Sequence, residues 1–127
     1  MIGYITLGTN DLQRAGQFYD ELLAEIGGKR AMNDARMLGW SNAEGPLFSV
    51  ITPFDEQPAS VGNGTMIALD VKTGEAVERL YNKALSLGAT DEGAPIDRGS
   101  SMGFYGGYFR DLDGNKLVAY CLGWQAD

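Results

Sequence analysis

The sequence has no histidine and one cysteine, Cys121, and these two shortages exclude whole classes of chemistry. Without imidazole there is no His metal ligand, no His general base and no side chain whose ordinary pKa lies near neutrality. Ser-His and Cys-His nucleophile pairs are excluded with it. A lone thiol forms neither a thiolate zinc cluster nor a CxxC redox pair, and it has no intrachain disulfide partner, which suits a reducing compartment. Cations are also scarce: ten Lys and Arg stand against 17 Asp and Glu, for a net charge of −7. Phosphate backbones are bound through clustered Lys and Arg that release counterions, so nucleic acid is not an expected partner. The apolar runs fall far short of the ~20 residues that cross a bilayer, and the start of the sequence lacks the pattern of a signal peptide. No membrane is expected as a partner, and the composition fits a soluble cytoplasmic protein. A chain of 127 residues buries roughly two-thirds of its unfolded surface, enough for a core without staples.

What is present is ordered. Ile2–Leu7 mixes β-branched and aromatic residues as a strand does, and Gly8-Thr9-Asn10-Asp11 supplies turn formers and a candidate helix N-cap. From Leu12, the apolar residues Ala15, Phe18, Tyr19, Leu22, Leu23 and Ile26 follow a 3.6-residue period until Gly27-Gly28. Arg30–Met32, Arg36–Ser41 and Leu47–Thr52 read as three short strands, divided by turn-rich Asn33-Asp34 and by Asn42-Ala43-Glu44-Gly45-Pro46. The segment 53–64, with Pro53, Pro58, Gly62 and Gly64, reads as a connection. The order then recurs: a strand at Thr65–Val71, a helix after Thr73 carrying Ala76, Val77, Leu80, Tyr81, Ala84, Leu85 and Leu87 on one side, a stop at Gly88, and strands at Tyr105–Arg110 and Lys116–Leu122. The Asp-Gly step within Asp111–Asn115 suits a tight hairpin. A further strand near Asp91 is only weakly signalled.

A shift of 62 residues lays Leu7 on Leu69, Ala15 on Val77, Tyr19 on Tyr81, Leu23 on Leu85 and Tyr4 on Met66. One constant offset combined with one repeated element order indicates two copies of a strand–helix–strands module, at approximately 1–53 and 64–122.

The run from Met1 to Leu12 leading to Phe18-Tyr19, and the run Arg110-Asp111-Leu112-Asp113-Gly114-Asn115, resemble the opening strand and helix and the terminal hairpin of the vicinal oxygen chelate superfamily, the glyoxalase, bleomycin-resistance and extradiol-dioxygenase group. The resemblance extends over essentially the whole chain. It implies an α+β fold of two βαβββ modules whose mixed sheets curl into a cup, and a homodimer, since open sheets would otherwise present unpaired edges. In metal-dependent members the cup holds a divalent cation on His and Glu. The corresponding positions here are Tyr4, Ser49, Met66 and Val118, so the resemblance implies a cup without that metal or any other cofactor, and glyoxalase or dioxygenase chemistry without its Lewis acid.

Candidate ligand contacts follow from the same frame: Tyr4 and Met66 at the centre of the cup, Ser49 and Val118 beside them, and aromatic residues from Trp40 and from Phe104-Tyr105-Gly106-Gly107-Tyr108-Phe109. A strand places Tyr108 and Gly106 on one face and Tyr105 and Phe109 on the other, so one of Tyr105 and Tyr108 faces the cup. Arg36 and Arg98 are the cations that could clamp a carboxylate. Asp111 and Asp113 belong to the turn. The expected activity is binding of a small apolar or aromatic molecule, in the manner of the drug-sequestering branch of the family. Two alternatives stand beside it: an enzyme using Tyr4 or Tyr105 as acid–base group, and a structural protein with a filled cup.

Overall fold

In the computed structural model, which describes residues 1–43, 45–99 and 101–127, helix formation begins at two side-chain caps. Asp11, in an extended conformation, accepts a hydrogen bond from the Arg14 amide (3.0 Å) and opens α1, Leu12–Ala24. Thr73 does the same for the Ala76 amide (3.1 Å) and opens α2, Gly74–Ser86. Each cap satisfies an amide that the first turn leaves without a partner. The helices have the same length, 13 residues, and each buries the apolar stripe read from the sequence. Leu22 and Leu23 are buried in α1, and Val77, Leu80 and Ala84 in α2.

The chain divides into two units, Met1–Gly62 and Asn63–Asp127. In the first, β1 (Tyr4–Gly8), β2 (Lys29–Asn33), β3 (Met37–Ser41) and β4 (Leu47–Ile51) form an open mixed sheet in the order β1-β4-β3-β2. β1 runs parallel to β4, with Thr6 opposite Ser49 and Leu7 opposite Val50. In the second, β5 (Ile67–Asp70), β6 (Thr90–Asp97), β7 (Tyr105–Arg110) and β8 (Lys116–Cys121) repeat the plan in the order β5-β8-β7-β6, with β5 parallel to β8 and Ala68 opposite Val118. The parallel pairing is what a crossover through a helix produces. The fold is therefore α+β, two βαβββ modules, each with one helix packed on one face of its sheet.

The alternation along the strands assigns the faces. Leu7, Leu38, Trp40, Phe48 and Val50 are buried toward α1, and Tyr105, Phe109, Leu117, Ala119 and Cys121 toward α2. Two glycines set the closeness of helix to sheet. A Cβ at Gly16 would lie 2.7 Å from both Arg30 Nη2 and Leu38 Cδ1, and one at Gly107 would lie 2.9 Å from the Tyr81 ring and from Pro95 Cγ.

β6 is a full eight residues, although its pattern barely signals a strand. It is an edge strand carrying Pro95 and irregularities between Asp91, Gly93 and Ile96, which break the alternation that reveals a strand. The hairpin between β7 and β8 is closed by Asp111, whose carboxylate accepts from the Asp113 and Asn115 amides, both at 2.9 Å, and from Asn115 Nδ2 at 3.0 Å. Of the expected turn after β3, the part at Glu44 lies outside the described residues. Among the described residues, no helix is long and apolar enough to cross a membrane.

Candidate functional site

In each unit the sheet face turned away from the helix carries some of the positions that the sequence singles out, and the helix side carries the others. In the first unit, Tyr4 and Thr6 of β1 share this face with Leu47, Ser49 and Ile51 of β4 and with Met37 and Gly39 of β3. Tyr4 is 64% exposed, whereas Ser49 is fully buried and its hydroxyl has no hydrogen-bond partner among the described residues. A buried hydroxyl without a partner costs about 1–3 kcal/mol in desolvation. Arg36, beyond this face, donates to the Thr52 carbonyl at 3.2 and 3.3 Å and lies 5.5 Å from the Phe54 ring, so it secures the end of β4.

Trp40 takes the opposite side. The indole is buried against α1, its Nε1 donates to Asp20 Oδ1 at 2.8 Å, and it lies 5.7 Å from the Tyr19 ring. Arg30 grips the same carboxylate with Nε (2.9 Å) and Nη2 (3.0 Å), and its guanidinium carbon stands 5.7 Å from the indole centroid. Asp20 thus joins helix and sheet through two donors, a bidentate pairing that fixes geometry as well as charge.

In the second unit the face away from α2 is aromatic and cationic. Tyr108 and Arg110 of β7, Lys116, Val118 and Tyr120 of β8, and Ala68 and Asp70 of β5 lie on it. Met66, just before β5 and in step with Ala68, is 40% exposed. Val118 is fully buried; Phe104 lies over Gly106, where an added Cβ would be 2.8 Å from its ring and 3.2 Å from Val118, and it stacks on Tyr120 at 5.0 Å and 6°. Tyr108 is half-buried, with the Arg98 guanidinium 4.9 Å and Lys116 Nζ 5.3 Å from its ring.

Tyr105 faces the other way. Its hydroxyl donates to Glu78 Oε1 of α2 at 2.7 Å, and its ring stacks on Trp124 at 4.5 Å. Burial, together with the Glu78 carboxylate that accepts its proton, pushes its pKa up to about 12. It therefore holds its proton throughout the neutral range, which suits a structural donor rather than a base. Burial and Asp91 raise Tyr81 to about 12 in the same way, and burial pushes the Cys121 thiol up, so the single cysteine is kept as an unreactive thiol.

The site residues from the sequence are thus divided. Tyr4 and Ser49 share one face of the first unit, and Tyr108 and Val118, with Met66 in step, share the corresponding face of the second. Trp40 and Tyr105 are on the helix sides. Lys116, Tyr120, Asp20 and Glu78 escaped the sequence reading. Pairing β7 with β8 outward from the Asp-Gly turn would have placed Lys116 and Tyr120 beside Tyr108, but Asp20 and Glu78 look like ordinary solvent-facing helix carboxylates in sequence.

Neither Tyr4 and Ser49 in the first unit nor Met66 and Val118 in the second suit a divalent cation. They comprise a neutral phenol, a buried neutral hydroxyl, a thioether and a side chain with no donor atom, where such an ion takes imidazole, thiolate or carboxylate. Nor do the described residues include a group of three or more His, Cys, Asp or Glu able to hold a metal.

Two βαβββ modules define the class of fold. No family model and no curated protein sequence matches the chain. Among solved structures it is similar to a glyoxalase/bleomycin resistance protein from Albidiferax ferrireducens, at 29% identity and a TM-score of 0.87 over 95% of this chain and 98% of that one. A hypothetical protein from S. aureus is also 29% identical, with a TM-score of 0.73 over 95% and 92% of the two chains. A lactoylglutathione lyase from Agrobacterium tumefaciens shares the fold at 17% identity, with a TM-score of 0.70 over 94% and 92%. The chain has the fold of the glyoxalase/bleomycin resistance protein/dioxygenase superfamily, and these structural neighbours support its placement there.

Proposed function

We propose that this protein binds a small planar or apolar molecule without a metal, on the sheet faces turned away from the helices. The observation that carries the reading is the face of the second unit. There the stacked Phe104–Tyr120 pair and the half-buried Tyr108 surround a buried Val118 at a position where metal-dependent relatives have a carboxylate. Aromatic rings offer contact area with little conformational freedom to lose, and a phenol adds a polar handle that orients the bound molecule. Tyr4 and Met66 add exposed apolar surface, and a thioether adapts its shape to an irregular ligand. On this reading the working form is a cytoplasmic homodimer whose contacts protect sheet edges, since β1, β2, β5 and β6 each end a sheet.

Native mass spectrometry of gently purified protein, paired with elemental analysis, tests the proposal. The expected result is a retained small organic molecule and no stoichiometric transition metal. Substitution Met66→Trp is expected to reduce that retention while the protein remains folded. One equivalent of zinc or nickel that survives dialysis against a mild chelator and is lost on changing Tyr4 or Ser49 would overturn it.

A further inference from the structure

We infer that the ligand of the second unit's open face carries an oxyanion, a carboxylate in the first instance, held by Arg98 and Lys116 beside the ring of Tyr108. The inference rests on the binding function proposed above and specifies the ligand's charge.

The first observation is an imbalance. In a chain with seven more acidic than basic residues, surface cations should readily find carboxylates. On this face the others have: Arg110 is paired with Glu92, and Asp70 is occupied by Lys72 at 2.8 Å. Arg98 and Lys116 have no ion-pair partner among the described residues, yet both converge on one ring, at 4.9 and 5.3 Å.

The second observation concerns rigidity. Arg98 donates from Nε to the Gly106 carbonyl (3.1 Å) and from Nη2 to the carbonyls of Gly93 (3.2 Å) and Ala94 (2.8 Å). These bonds tie the guanidinium to the irregular stretch of β6 and to β7. Neutral carbonyls fix its position and leave its charge uncompensated. Gly93 leaves room for this arrangement: with φ at +142°, it has an open position where a Cβ would lie 3.0 Å from Arg98 Nη2. A positive centre that is immobilised before binding loses little entropy when an anion arrives.

The third observation is the set of donors left over. Among the described residues, Arg98 Nη1, Lys116 Nζ and the Tyr108 hydroxyl have no hydrogen-bond acceptor, and all three belong to one half-buried group. The ring faces attract the cations through the aromatic quadrupole, but this attraction does not use the N–H and O–H donors. Two cations around one ring repel each other, and an oxyanion relieves that repulsion while accepting from the unused donors. The Phe104–Tyr120 stack beside them supplies the apolar surface for the ligand's body.

Calorimetric titration of the intact protein with 2-naphthoate and its neutral isostere 2-naphthamide tests the inference. The expected result is binding of 2-naphthoate about tenfold tighter than of 2-naphthamide, a preference that shrinks as salt is raised. Lys116→Gln, which removes no hydrogen bond within the fold, should abolish most of that preference by weakening the carboxylate far more than the amide. Arg98→Gln should do the same, with its circular dichroism and melting curve recorded because the native side chain also ties β6 to β7. Tyr108→Phe should weaken the carboxylate selectively. Equal affinity for acid and amide, unaffected by Lys116→Gln, would overturn the oxyanion assignment and leave the binding function standing. Failure of both probes to bind would overturn both.

Discussion

The two units share a backbone plan but distribute their aromatic residues over it differently. The first concentrates Phe18, Tyr19, Trp40 and Phe48 between helix and sheet, with ring centroids 4.9 Å apart for Phe18–Tyr19, 4.8 Å for Tyr19–Phe48 and 5.7 Å for Tyr19–Trp40. Its opposite face carries Tyr4 beside aliphatic and hydroxyl-bearing residues around Ser49. The second brings the Tyr81 ring of α2 close over Gly107, and carries Phe104, Tyr108 and Tyr120 on the other face. Repetition of a fold therefore does not repeat a role. In the first unit Phe18, Tyr19, Trp40 and Phe48 are all buried; in the second, Tyr81, Tyr105 and Phe109 are buried while Phe104, Tyr108 and Tyr120 stay half-buried on the other face.

Truncating the aromatic core of the first unit gives the largest expected effect. Trp40→Ala removes a fully buried indole and deprives the Asp20 carboxylate of one donor, so stability should fall by about 3–5 kcal/mol in urea denaturation. A loss below about 1 kcal/mol, accompanied by impaired ligand retention, would place Trp40 in the binding site and erase the contrast between the units.

The equivalent positions Val118 and Ser49 sharpen the comparison. Val118→Ser takes buried methyl groups from the second unit and introduces a hydroxyl among apolar neighbours, at an expected cost of about 2–3 kcal/mol. Little or no loss on thermal melting would mean that a polar partner lies within reach of this site.

An alkaline response should belong to the second unit. Tyr81, which donates to Asp91 at 2.6 Å, and Tyr105 are both raised to about 12 from an ordinary 10. Above pH 10 the unfolded chain releases these protons while the folded chain keeps them, so stability should decline as pH rises from 10 toward 12 and be unaffected by these groups below it. Tyr81→Phe and Tyr105→Phe together should flatten that decline. An unchanged slope in the double variant would remove the two hydroxyls from the account.

Ser49→Ala gives the smallest effect. Removing a buried hydroxyl with no partner should leave stability unchanged or raise it by up to about 1 kcal/mol. A clear loss would show that Ser49 has a partner in solution, and the metal-ligand position of the first unit would then resemble a polar site more than a packed one.

Much of the architecture was legible because it depends on local spacing. The period from Leu12 to Ile26, the candidate cap within Gly8–Asp11, the helical pattern after Thr73, the Asp-Gly hairpin and the repeated element order all predict elements found in the structure. β6 was hidden for a stated reason: an edge strand with Pro95 and Gly93 does not alternate. The sites were less legible, because strand parity tells which residues share a face but not which face a helix covers. Tyr105 and Tyr108 could be assigned to opposite sides from sequence. Only the packing of α2, with Glu78 reaching Tyr105, decided which side was which.

The same distinction holds for chemistry. The sequence by itself determined that no imidazole or thiolate cluster operates here, since composition suffices for that. Tertiary structure alone decided that Trp40 lies in the core, that the Ser49 hydroxyl has no partner, and that Arg98 and Lys116 meet at Tyr108. Those facts arise from contacts between strands and helices far apart in the chain, where a side chain's energy depends on its neighbours' charge and burial, and residue order specifies neither.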